Sequence, residues 1–80
     1  MKTDPIQRAL QIMDDWLGLP EFTYQATVYR FAYALPPEQV LEAVEITRAK
    51  FSGGGRDAFR YFCGVCNCMI QEQRIRQTWN

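Results

Sequence analysis

The stretch from Phe59 to Trp79 constrains this chain most. Laid out as a helix, Phe59, Phe62, Cys63, Cys66 and Ile70 fall within about 100° of one another, on one side. The opposite side carries Tyr61, Val65, Cys68, Ile75 and Trp79, interrupted by Glu72. A helix that is apolar on two opposed sides cannot lie on a surface, one side in water, without leaving an aromatic stripe exposed. It is therefore expected either at the centre of the fold or covered on its second side by a partner.

The chain has 80 residues, expected to form a single domain over 1–80. A domain this small buries only roughly 60–65% of its unfolded surface, so it needs an additional source of stability. Two Trp, four Tyr and five Phe provide one, since each brings roughly 150–250 Å² of buriable area. Self-association is the other common remedy.

Four helices follow from pattern and punctuation, at about 5–17, 21–35, 37–51 and 57–77. Asp4 before Pro5, with Gln7 three residues after Asp4, combines an N-cap, a proline at N1 and a capping-box partner. Ile6, Ala9, Leu10, Met13, Trp16 and Leu17 then share one side, and Gly18-Leu19-Pro20 stops the helix. The next run has two coherent sides, Phe22-Ala26-Tyr29-Tyr33 and Tyr24-Val28-Phe31-Leu35. Pro36-Pro37 restart the chain, with Val40, Leu41, Val44, Thr47 and Phe51 inward and Glu38, Glu42 and Glu45 outward. Ser52-Gly53-Gly54-Gly55 is expected to be a flexible connection. The expected architecture is thus an all-α, compact four-helix domain with helices 2 and 4 central.

Lys+Arg and Asp+Glu balance at nine each, which argues against a general polyanion binder, but the average hides a polarity. Residues 1–47 carry three basic and seven acidic side chains, and residues 48–80 carry six basic and two acidic ones. Such asymmetry accompanies nucleic-acid or acidic-partner contact, or simply attraction between the two halves. No apolar stretch resembles a leader core or approaches the roughly 18 residues of a membrane span. A cytoplasmic protein without membrane contact is expected.

Cys63, Cys66 and Cys68 lie within six residues, an odd number too close on one helix to bridge well. Zinc needs four ligands, and this chain has no His and no second Cys pair. The thiols are expected to be small core residues, with no metal and no cofactor. Gly53-Gly54-Gly55-Arg56 opening a helix could offer N–H groups to a phosphate, yet it lacks the lysine and Ser/Thr of a P-loop. Without His, and with Ser52 as the only serine, the chain has no catalytic constellation and is not expected to be an enzyme.

Arg60, Asn67, Gln71 and Arg74 form a polar strip between the two apolar sides of the last helix, with Gly64 beside it. Together with Arg56, Arg76, Tyr61 and Trp79 they supply the cations and aromatic rings of single-strand binding.

Leu41-Glu42-Ala43-Val44-Glu45-Ile46, a short loop, then Phe59-Arg60-Tyr61-Phe62-Cys63-Gly64-Val65-Cys66-Asn67 resembles the C-terminal module of the DnaD-like replication proteins of primosomes and phage replisome organisers. In that family a helix of the type LEAI leads into a Y-x-x-G-I-L-x-x-W helix that contributes to DNA binding and to helicase or initiator contacts. Tyr61, Gly64, Val65 and Cys66 match by position, and the family tryptophan falls on Met69. Over residues 41–70 the resemblance implies a small phage-type or mobile-element protein of DNA replication, with Arg56, Arg60, Tyr61, Asn67, Arg74 and Arg76 on nucleic acid, single-stranded DNA included. The rival reading is a protein-interaction module or inhibitor of host replication or defence machinery, for example an anti-defence protein, with a homodimer among its forms. Its interface would be Tyr24, Val28, Phe31, Tyr61, Val65, Cys68 and Trp79.

Overall fold

The computed structural model of the chain describes residues 4–79, with side chains described for 4–75. Among the described residues four helices are present: α1 (Pro5–Trp16), α2 (Glu21–Ala34), α3 (Pro37–Lys50) and α4 (Arg56–Trp79). The all-α four-helix domain expected from the pattern is borne out.

Local signals set the boundaries. Asp4 Oδ1 accepts a hydrogen bond from the Ile6 N–H at 3.0 Å, and Pro5 occupies the first turn of α1, where its missing N–H costs nothing. Gly18, at φ +74°, takes the chain out of α1 in the left-handed conformation that glycine adopts without strain. Pro36 and Pro37 end α2 and open α3, whose first turn holds Glu38 and whose last turn holds Arg48 and Lys50, both favourable to the helix dipole.

One core joins all four helices, with Met13 from the first and Leu17 just beyond its end, Tyr24 and Val28 from the second, Val40 and Val44 from the third, and Phe62 and Cys66 from the fourth. Phe31 meets Phe62 edge-to-face at 5.9 Å between centroids, an aromatic pair worth roughly 0.5–1.5 kcal/mol beyond its buried area. Thr47 is fully buried, and its hydroxyl donates to the Ala43 carbonyl at 2.8 Å, so its polar atom is satisfied.

Two features differ from the expectation. First, α2 and α3 each pack against all three other helices, whereas α4 packs on α3 and more lightly on α2, with no helix-to-helix contact to α1 among the described residues. Thus α3 takes the central place expected of α4, whose second side is turned outward. Second, the Ser52–Gly55 connection is a clamp rather than a loose linker. The Gly55 N–H donates to the Leu17 carbonyl at 2.8 Å, the Gly54 N–H to the Phe51 carbonyl at 3.0 Å, and Trp16 Nε1–H to the same Phe51 carbonyl at 2.7 Å. Gly54 and Gly55 have φ of +73° and +91°, and Gly54 lies so close to the Trp16 and Leu17 carbonyls that no side chain fits between them.

Substitution separates a clamp from a linker. Gly54→Ala would set a Cβ 2.9 Å from the Leu17 carbonyl oxygen in a left-handed conformation, and is expected to cost about 2 kcal/mol or more in urea unfolding. Gly53→Ala, whose Cβ would meet nothing within 4 Å, is expected to stay within about 0.5 kcal/mol of the parent.

Candidate functional site

The side of α4 that faces the core carries Ala58, Phe62 and Cys66, all fully buried. Opposite them, Arg56, Arg60, Asn67, Gln71 and Arg74 are exposed along one side, with Gly64 exposed among them. From Arg56 to Arg74 the strip runs 18 residues, about 27 Å of helix. The structure therefore brings together four of the six residues expected on nucleic acid as one solvent-facing row. The side chains of Arg76 and Trp79 lie outside the described residues.

Tyr61, the fifth, is half-buried and already occupied. Lys50 Nζ stands 5.1 Å from the centroid of its ring, within cation–π range, and the Phe51 ring lies against it at 5.2 Å with a 55° tilt. Lys50 thus belongs to this region although the sequence pattern did not single it out. The signal was its place in the last turn of α3, since a short connection folds that turn back beside the first turns of α4.

Beside the strip runs an open groove of about 720 Å³, lined by Phe51, Arg60, Tyr61, Gly64, Val65 and Cys68 together with the carboxylates of Asp57 and Glu72. Gly64 helps keep it open, since a Cβ there would meet nothing within 4 Å. Met69, at the position of the family tryptophan, also lines the groove and packs partly against the core.

The partner interface expected from sequence divides. Tyr24, Val28 and Phe31 are 1%, 0% and 8% exposed and form the core side of α2, so no partner can reach them. The reason lies in hydroxyl chemistry. Burying that side desolvates one phenol, and Tyr24 Oη donates to Asp14 Oδ1 at 3.4 Å, whereas burying the other would desolvate those of Tyr29 and Tyr33. Burial first, then the nearby Asp14 and Glu21 carboxylates, raise the Tyr24 pKa above its ordinary value. Val65 is half-buried against the core, and Cys68 is exposed on the groove.

The glycine-rich connection offers no open phosphate cradle, because the N–H groups of Gly54 and Gly55 are spent on the Phe51 and Leu17 carbonyls. The three cysteines diverge: Cys66 is buried, Cys63 half-buried and Cys68 exposed. Among the described residues no group of three or more His, Cys, Asp or Glu side chains could hold a metal ion, and no helix is long and apolar enough to cross a membrane. Asp14, Asp15, Glu38, Glu42 and Glu45 are all exposed, on α1 and α3.

The chain matches no protein-family model, no curated protein and no solved structure.

Thiol chemistry tests the burial pattern. Burial pushes the Cys66 thiol from its ordinary 9.0 up to about 12, with Cys63 adding to the shift, and burial also raises Cys63. Iodoacetamide near neutral pH should modify one thiol per folded chain quickly, at Cys68, and all three only after unfolding. The folded chain holds the Cys66 proton more tightly than the unfolded one does. That contribution to stability is fully present below about pH 9 and is lost as the pH rises toward about 12. The urea midpoint should fall between about pH 8 and about pH 10.5, and less steeply in Cys66→Ala.

Proposed function

We propose that this chain is a small non-enzymatic helical protein that associates with nucleic acid through the exposed strip of α4. The observation that supports this reading is the alignment of Arg56, Arg60, Asn67 and Arg74 on one solvent-facing side of a single helix. Duplex DNA carries one negative charge per roughly 1.7 Å of axis, so a strip of about 27 Å has several phosphates within reach. Guanidinium groups supply charge and paired donors to phosphate oxygens, and Asn67 adds a neutral donor.

With the Tyr61 ring taken by Lys50 and Phe51, contact with the sugar-phosphate backbone is favoured over base stacking, and little sequence preference is expected. The exposed carboxylates of α1 and α3 repel a polyanion and confine it to the α4 side. The resemblance of residues 41–70 to DnaD-like modules extends the reading to replication in a phage or mobile element, in the cytoplasm.

Fluorescence anisotropy with labelled single- and double-stranded DNA at several salt concentrations tests it. Arg60→Ala and Arg74→Ala should each weaken binding for all sequences alike and lower the log–log salt slope by roughly 0.7–0.9. Glu38→Gln, on the acidic side, should not weaken it. Unchanged affinity in both arginine variants overturns this site.

A second reading has its own observation, the groove lined by Tyr61, Gly64 and Val65 beside the strip. An inserted side chain from a protein partner of host replication or defence machinery fits such a surface, and the chain would then be an interaction module or inhibitor. Cys68→Arg fills the exposed rim without touching the core. Loss of partner binding in that variant, with DNA binding unchanged, would favour this second reading.

A further inference from the structure

The exposed side of α2 is an aromatic surface that the α4 reading leaves unexplained. Phe22, Tyr29 and Tyr33 are 82%, 46% and 95% exposed, and with Ala26 they follow one another at spacings of four, three and four residues. That is the spacing of a helix–helix seam, with residues at alternate steps of a heptad on one stripe. We propose that this stripe is a homodimer interface, in which α2 of a second copy of the chain packs antiparallel against α2 across a two-fold axis. The inference is independent of the α4 reading and uses none of its residues.

The stripe is complementary to itself in that arrangement. A two-fold axis between Ala26 and Tyr29 sets Phe22 against Tyr33 of the second copy and Tyr29 against Ala26, each twice. The large Tyr29 ring therefore meets the one small residue on the stripe. A small recess of about 110 Å³, lined by Tyr29, Ala32 and Tyr33, lies where Phe22 of the second copy arrives.

Side-chain size favours the antiparallel direction, because a parallel, in-register pair would leave Ala26 facing Ala26, with a gap.

Area sets the strength. At roughly 200 Å² for a whole aromatic residue, the exposed fractions of Phe22, Tyr29 and Tyr33 amount to about 450 Å² per copy. A pair then buries about 900 Å² before Gln25, Ala26 and Arg30 are added, close to the lower limit of about 1,200 Å² for specific interfaces. A reversible, concentration-dependent dimer follows, rather than an obligate one.

Sedimentation equilibrium over about 5 to 500 µM, alongside circular dichroism, tests the proposal. The parent chain should shift from monomer toward dimer across that range. Tyr33→Glu, a change on an exposed side chain that keeps the helical signal, should weaken the dimer at least about tenfold. Adding Phe22→Arg to Tyr33→Glu should restore it, because only the antiparallel pairing brings residue 22 to residue 33 of the other copy. A parent that stays monomeric throughout, a dimer indifferent to Tyr33→Glu, or a double variant with no recovery each overturns the proposal.

Discussion

The arrangement of this molecule depends on the junction where the α1–α2 turn meets the α3–α4 connection. Trp16 Nε1–H and the Gly54 N–H both donate to the Phe51 carbonyl, while the Gly55 N–H donates to the carbonyl of Leu17. Each bond contributes on the order of 1 kcal/mol net, and leaving these part-buried groups unpaired would add a desolvation cost. The junction holds two helical hairpins at a fixed mutual angle. It also sets the direction in which α4 leaves the body, because Phe59 donates back to the Gly55 carbonyl at 3.1 Å and starts the helix from the clamped residue.

From that anchored start, the rotation of α4 about its axis follows from what its buried side can offer. Ala58, Phe62 and Cys66 carry no oxygen and fill the space beneath Phe31 without an unsatisfied group. Arg56, Arg60, Asn67 and Arg74 are then on the outside, and the row of cations is a consequence of packing on the other side of the helix. Tyr61 falls between the two regions, where Phe51 and Lys50 from the end of α3 cover it. The same logic gives α2 its orientation, since Tyr24 finds Asp14 for its hydroxyl and Tyr29 and Tyr33 keep theirs near water. Two helices with two apolar sides each thus leave two separate surfaces outside: a cationic strip beside a groove on α4, and an aromatic stripe on α2.

Much of this was legible beforehand. Asp4-Pro5, Gly18-Leu19-Pro20 and Pro36-Pro37 act through backbone chemistry of their own, and the helix ends lie within a residue or two of where they pointed. The exposed strip was legible too, because charged side chains cannot be buried without partners and their spacing alone places them on one side. The Ser52–Gly55 connection was not. Three consecutive glycines permit a loose linker and a strained close approach equally well, and only the Trp16 and Leu17 carbonyls standing against Gly54 separate the two. The role of Lys50 was hidden for a similar reason, since its ring partner is eleven residues away across a chain reversal.

The sequence by itself determined four helices, their ends, the apolar inward sides of α1 and α3, and the polarity of charge along the chain. These are set by local backbone preference and by periodicity, which act within one helix. Only the tertiary structure decided which side of α2 and of α4 goes inside, because both sides of each are hydrophobic enough to bury and hydropathy does not rank them. The choice came from partners far along the chain, Asp14 for the Tyr24 hydroxyl and Phe31 for the Phe62 ring. The sides left outside carry the Tyr29 and Tyr33 hydroxyls on α2 and the charged strip on α4.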